Sequence, residues 1–174
     1  VNYIANTLDC RVIKEAVSGT TLADNSSNSY VSRMLANISA TEKIDHLIVQ
    51  LSTNDVTQNI VVGDVAPNKN IEEFDRTTTV GAMEYIIAYA RKTWGCKVSF
   101  YTNPCYNNAQ YEALMNKLAL LKAKWDIGVV DFYYYTDMDA LDQVTLASYM
   151  ADPIHPNAMG YEWMGGVFSE YLVK

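Results

Sequence analysis

Residues Thr79 to Tyr101 read TVGAMEYIIAYARKTWGCKVSFY, and the two halves of that stretch follow different periods. Val80, Met83, Ile87 and Ala90 fall on one stripe at helical spacing, so Thr79 to Trp94 reads as an amphipathic helix that Gly95 closes in the C′ position. Lys97 to Tyr101 is a short apolar run directly after that stop, and it reads as a buried strand. Working outward, Val12 to Val17, His46 to Leu51 and Gly128 to Phe132 are three more strand-like runs. Tyr30 to Ile38 carries Tyr30, Met34 and Ile38 at i, i+4 and i+8. Asn108 to Trp125 repeats the helical stripe through Tyr111, Leu114, Leu118, Leu121 and Trp125, and Ala158 to Leu172 forms a last helix with Asn157 as its N-cap. Strands alternating with helices predict βα units with right-handed crossovers and a parallel sheet covered on both faces, so the expected class is α/β.

The chain has 174 residues, 49% of them apolar and 19% charged, which suits one compact domain over residues 1–174. The polar stretch Gly63 to Asn70 reads as a surface loop, and there is no internal repeat or linker. A net charge of −7, with no cluster of Lys and Arg among aromatics, argues against a nucleic acid or an anionic membrane as partner. No apolar run approaches the ~20 residues of a membrane span, and the chain opens with no signal-peptide pattern. Cys10, Cys96 and Cys105 are odd in number and lack metal-type spacing, which points to free thiols and a reducing, cytoplasmic location. Cys105 follows a strand but has no local signature of a catalytic cysteine.

In an open parallel sheet, ligands gather outside the carboxyl ends of the strands. Three loops at such places carry chemistry: Ser18-Gly19-Thr20-Thr21, Ser52-Thr53-Asn54-Asp55, and Asp152-Pro153-Ile154-His155-Pro156-Asn157. The chain has two histidines. His46 opens a strand at the amino end of the sheet, which leaves His155 as the candidate general base. Asp152, three residues earlier, can hold its tautomer and stabilise the imidazolium, and Pro153 and Pro156 restrict the backbone around the pair. The plainer reading is an Asp-Pro turn and a helix cap that include a histidine. A metal site at Asp152 and His155 would need further ligands that the sequence does not place, so no metal and no organic cofactor are expected.

The three loops, in this order, resemble the motif blocks of the SGNH (GDSL-like) hydrolases. Asp152-Pro-Ile-His155-Pro-Asn is similar to the final Asp-x-x-His block. Gly19 is similar to the second-block glycine, whose backbone N–H donates to the oxyanion, and Asn54 to the third-block asparagine, whose side-chain amide does the same. Taken alone, Gly19 is also a turn glycine and Asn54 a helix cap. The resemblance covers essentially the whole chain and implies a flavodoxin-like three-layer α/β/α fold with a parallel sheet. Two departures stand out: Ser52 takes the place of the third-block glycine, and the first block, a Gly-Asp-Ser turn after the first strand, is absent.

The implied chemistry is acyl transfer: a serine attacks a small or carbohydrate-linked ester, His155 takes its proton, Asp152 orients His155, and Gly19 and Asn54 hold the oxyanion. The nucleophile is expected before Val1, in about 15–25 residues that would supply the first strand and its turn. On this reading the single domain is incomplete at its N-terminus, the 174 residues alone are inactive, and the first strand of the sheet is missing from them. The competing class is a non-catalytic ligand- or carbohydrate-binding module on the same fold. Thirteen tyrosines, including Tyr101, Tyr106 and Tyr133-Tyr134-Tyr135, could stack on a sugar ring, although packing accounts for tyrosines more commonly. Acyl length, the alcohol moiety and oligomeric state are not legible in the sequence.

Overall fold

The structure is a computed structural model that describes residues 1–104, 106–134 and 142–174. Cys105 and Tyr135 lie outside the described residues. In chain order the elements are α1 (Asn2–Leu8), α2 (Tyr30–Asn37), β1 (His46–Gln50), α3 (Thr53–Thr57), a 3₁₀ turn (Ile71–Glu73), α4 (Thr79–Thr93), β2 (Lys97–Tyr101), α5 (Ala109–Trp125), β3 (Gly128–Val130), α6 (Gln143–Ser148) and α7 (Ala158–Leu172). The class is α/β, as the alternating periods require. The strands form a three-stranded parallel sheet in the order β1-β2-β3, the arrangement found in the 3-4-5 half of a flavodoxin-like sheet. β1 and β2 pair in register from His46 opposite Lys97 to Gln50 opposite Tyr101, and the Leu51 N–H donates to the Tyr101 carbonyl at 2.8 Å.

One expected strand is not there. Val12 to Val17 joins no ladder among the described residues, and Ile13 and Val17 are 40% and 47% exposed. The run has the β-branched composition of a strand, but strand propensity is realised only where a neighbouring strand and a packed face exist.

The chain divides into two compact units. The larger comprises Glu15–Thr102 and Asn107–Val129. Its core is built from Leu22, Val31, Leu51, Met83, Ile87, Phe100, Leu114 and Leu121, all fully buried. α4 starts at Thr78, whose side chain accepts the Gly81 N–H, and stops where Gly95 takes a φ of +66°. α5 starts at Asn108, which accepts from the Gln110 and Tyr111 N–H groups. These caps meet backbone donors that a helix start otherwise leaves unpaired.

The smaller unit comprises Val1–Lys14, Asn103–Tyr106 and Val130–Lys174. Here α1 lies against α7, and Gly165 permits the contact, because a Cβ at that position would sit 2.9 Å from the Tyr3 ring. Phe132 meets Trp163 and Phe168 edge to face, with centroids 5.3 Å apart in both pairs. Among the described residues, no helix is long and apolar enough to cross a membrane.

A carboxylate ties α4 to α5 inside the larger unit. Glu84 is fully buried and accepts from Trp125 Nε1 at 2.8 Å, from the Ala66 N–H at 2.7 Å and from Lys124 Nζ at 2.5 Å. Lys124 also donates to the Ala66 and Asn68 carbonyls, so one ion pair fixes the Gly63 to Asn70 loop to two helices. Removing one partner of a buried pair strands the other in a dry environment. Glu84→Ala is therefore expected to lower unfolding stability by about 3–5 kcal/mol in urea titrations, and a loss below about 1 kcal/mol would show that water takes over the carboxylate's contacts.

Candidate active site

Asp152 and His155 belong to the smaller unit, and Gly19 and Asn54 to the larger. Each pair is held by its own local network.

The loop bearing Asp152 and His155 is closed at its base by an antiparallel bridge between Met150 and Pro156, with the Ala151 N–H donating to the His155 carbonyl at 2.8 Å. Asn157 ends the loop and begins α7: its Oδ1 accepts the Gly160 N–H at 3.1 Å, and its Nδ2 donates to the Ser148 carbonyl at 2.7 Å. Gly160 passes so close to the Tyr149 carbonyl that any Cβ would collide with it. Within this frame Asp152 Oδ1 accepts the N–H groups of Ile154 and His155, both at 2.8 Å. Asp152 Oδ2 lies 2.8 Å from His155 Nδ1. The carboxylate thus binds the ring nitrogen on the loop side, while Nε2 has no hydrogen-bond partner among the described residues. That is the tautomer a general base needs, with Nδ1 carrying the proton. Backbone N–H donors from Ile154 and His155, followed by the His155 side chain, pull the Asp152 pKa from 3.8 down to about 2.

The second pair sits where β1 gives way to α3. Ser52 is the N-cap of α3, its Oγ accepting the Asp55 N–H at 3.2 Å, so Asn54 lies inside the first turn and is not the cap. At the position where the resembled motif has glycine, Ser52 supplies this cap, and the phenol of nearby Tyr30 is pushed up to about 12 by desolvation, with Ser52 acting in the opposite sense. Asn54 Nδ2 donates to the Thr20 carbonyl at 3.0 Å, which ties the amide to the residue next to Gly19. An amide nitrogen has two donors, and this bond uses one. Gly19 has a φ of +77°, and a Cβ built on it would meet nothing within 4 Å. Backbone conformation, not lack of room, is what requires glycine there.

His46 and two of the cysteines lie elsewhere in the chain's structure. His46 Nε2 lies 2.7 Å from Ser99 Oγ, and burial, with Lys97 adding to it, pushes its pKa down. Cys96 is buried and Cys10 exposed, both as free thiols, and burial raises the Cys96 pKa. Among the described residues, no group of three or more His, Cys, Asp or Glu side chains is placed to hold a metal ion. Two contributors escaped sequence reasoning. Asn103 is buried and donates to the Ile154 carbonyl at 2.8 Å, supporting the Asp152 loop, and its place at the carboxyl end of a strand was the available signal. Asp55 is the other, and its only signal is that it follows Asn54.

A model of the GDSL-like lipase/acylhydrolase family matches residues 1–163. Solved structures similar to the chain include the following three. One is a candidate GDSL-like lipase from Bacteroides ovatus, 17% identical with a TM-score of 0.69, the match covering 98% of this chain and 76% of that one. A candidate lipase from Chitinophaga pinensis is 14% identical with a TM-score of 0.65, covering 98% and 86%. A protein from Lactobacillus plantarum is 17% identical with a TM-score of 0.69, covering 89% and 77%. No curated protein matches.

The Asp152 shift has a definite sign. A carboxyl whose folded pKa is depressed stabilises the loop above its ordinary value near ~3.9, and that stabilisation is lost as pH falls toward the folded pKa. Carbon NMR of the Asp152 carboxyl is expected to give a midpoint of about 2. In His155→Ala the midpoint should stay below 3.8, because the two leading causes are backbone donors that survive the substitution. A wild-type midpoint at or above 3.8 would mean the loop's N–H groups do not hold the carboxylate.

Proposed function

We propose that this chain, which belongs to the GDSL-like lipase/acylhydrolase family, works as a serine esterase acting on small or carbohydrate-linked carboxylic esters. Family membership supports a hydrolase. The observation that carries it is the Asp152–His155 contact of 2.8 Å at Nδ1, which leaves Nε2 available for proton transfer.

In this mechanism His155 Nε2 removes the proton from a serine hydroxyl as its oxygen attacks the ester carbonyl, and Asp152 stabilises the imidazolium that forms. The Gly19 N–H and the second N–H of Asn54 Nδ2 donate to the tetrahedral oxyanion. His155 returns its proton to the leaving alcohol, and water repeats the sequence on the acyl-enzyme, which releases the acid. No residue run in the chain matches the family's Gly-Asp-Ser block, so in this reading the serine is the member of the triad that labelling has to locate. The exposed Cys10 and buried Cys96, both free thiols, support a reducing, cytoplasmic setting.

In the full-length natural protein, His155→Ala is expected to lower kcat on p-nitrophenyl acetate by at least ~10³-fold, as triad disruption does. Asn54→Ala should lower kcat by about 10²–10³-fold with a smaller change in KM, since its donor acts mainly as charge develops. Fluorophosphonate labelling followed by peptide mapping locates the nucleophile. A kcat within tenfold of wild type for His155→Ala would refute the esterase reading and favour a binding module.

A further inference from the structure

Asp55 is 1% exposed, and its carboxylate is directed at backbone across the larger unit. Oδ2 accepts the Leu22 N–H at 2.7 Å, while Oδ1 accepts the Ala23 N–H at 3.0 Å and the Thr79 hydroxyl at 3.0 Å. Leu22 and Ala23 are themselves fully buried, so all these bonds lie out of reach of water. Two consecutive amides on the two oxygens of one carboxylate fix both the position and the direction of the chain that carries them, and bonds to an ionised acceptor are the stronger kind.

We propose that Asp55 is the positioning residue of the oxyanion site, holding the Gly19-Thr20 turn in register with the Asn54 amide. The inference rests on the esterase reading above and deepens it. Asn54 and Asp55 are adjacent in α3, so one short helix carries both the oxyanion donor and the anchor of the loop that supplies the other donor. The other ties to this loop are single bonds: Asn54 Nδ2 donates to the Thr20 carbonyl at 3.0 Å and the Tyr30 N–H to the Thr21 carbonyl at 2.8 Å. Gln58 Nε2 donates to the Gly19 carbonyl at 3.2 Å in an exposed setting. Arg33 Nη2 donates to Thr20 Oγ1 at 3.3 Å, and the Thr20 hydroxyl donates in turn to the Val17 carbonyl at 2.8 Å. None of these binds the loop through paired amides on a dry charge. Displacing a catalytic donor by about 1 Å can cost ~10²-fold in rate, which sets the scale expected when the anchor is lost.

The test uses the full-length natural protein, p-nitrophenyl acetate, and rates per active site counted by fluorophosphonate labelling, so that unfolded protein does not enter kcat. Asp55→Asn places an amide donor against one of the two backbone N–H groups. It should lower kcat about 10–100-fold with KM within about threefold, and should weaken inhibition by an alkyl boronic acid, which mimics the tetrahedral state, by a similar factor. Thr79→Val removes the third donor and leaves both amide bonds, so it should lower Tm while kcat and boronate affinity stay within about threefold. Asp55→Ser, which keeps a neutral acceptor, is the second variant and should fall on the same side as Asp55→Asn. If Asn54→Ala loses activity while folded, labelled Asp55→Asn keeps kcat within threefold, Asp55 is a scaffold residue and the inference is overturned. Failure of both Asp55 variants to fold overturns it equally. If Asn54→Ala itself leaves kcat unchanged, the oxyanion reading fails first and this inference falls with it.

Discussion

Parallel pairing of β1 with β2 is the constraint on which the rest of the larger unit depends. Parallel neighbours cannot be joined by a tight turn, so the chain between Gln50 and Lys97 must travel back across a face of the sheet, and it does so through α4. That return path explains why α4 is apolar on the side facing the strands and why Met83, Ile87 and Phe100 share one core. It also sets the carboxyl ends of both strands at the same edge, where backbone groups leave the ladder and need other partners. The short helix α3 starts at that edge, and Tyr111 reaches the same place, its hydroxyl donating to the Leu51 carbonyl at 3.3 Å.

Carboxylates complete the wiring that apolar packing leaves open. Glu84 and Asp55 are both buried, and both are directed mainly at backbone or at a neutral N–H or O–H group. A buried charge is costly unless it is paired or hydrogen-bonded, and these two meet that requirement largely by holding loops. Glu84 holds the Gly63 to Asn70 segment, and Asp55 holds the segment after Gly19. The two segments are irregular in backbone but are tied to helices, which is how a loop acquires the positional accuracy that chemistry requires.

The limits of α2, α4, α5 and α7 were legible almost to the residue because their stop and start signals are local: Asn108 and Asn157 cap α5 and α7, and Gly95 ends α4 in the left-handed region; the short helices α1, α3 and α6 carry too few turns for a periodic stripe. β1 and β2 were legible for a similar reason, each being a compact apolar run. Val12 to Val17 misled because strand formation needs a partner that a single run of sequence cannot reveal. Within the candidate site, the Asp152–His155 pair could be read because both members lie within four consecutive positions, where the loop itself creates the contact. Asp55 could not, since its partners are 33, 32 and 24 residues away. Ser52 was read as a departure from a glycine pattern, whereas its capping hydroxyl gives the position a purpose of its own.

The loop from Met150 to Pro156 is closed by backbone at both ends, and the passage of Gly160 beneath the Tyr149 carbonyl clamps the following helix to it. A loop closed in this way has a fixed residue count. An insertion between Asp152 and His155 would carry the imidazole away from the carboxylate, and a deletion would break the bridge at the base. Among descendants of this sequence, length variation should therefore be excluded from 150–156, so that the spacing of the two candidate side chains outlasts their neighbours' identity.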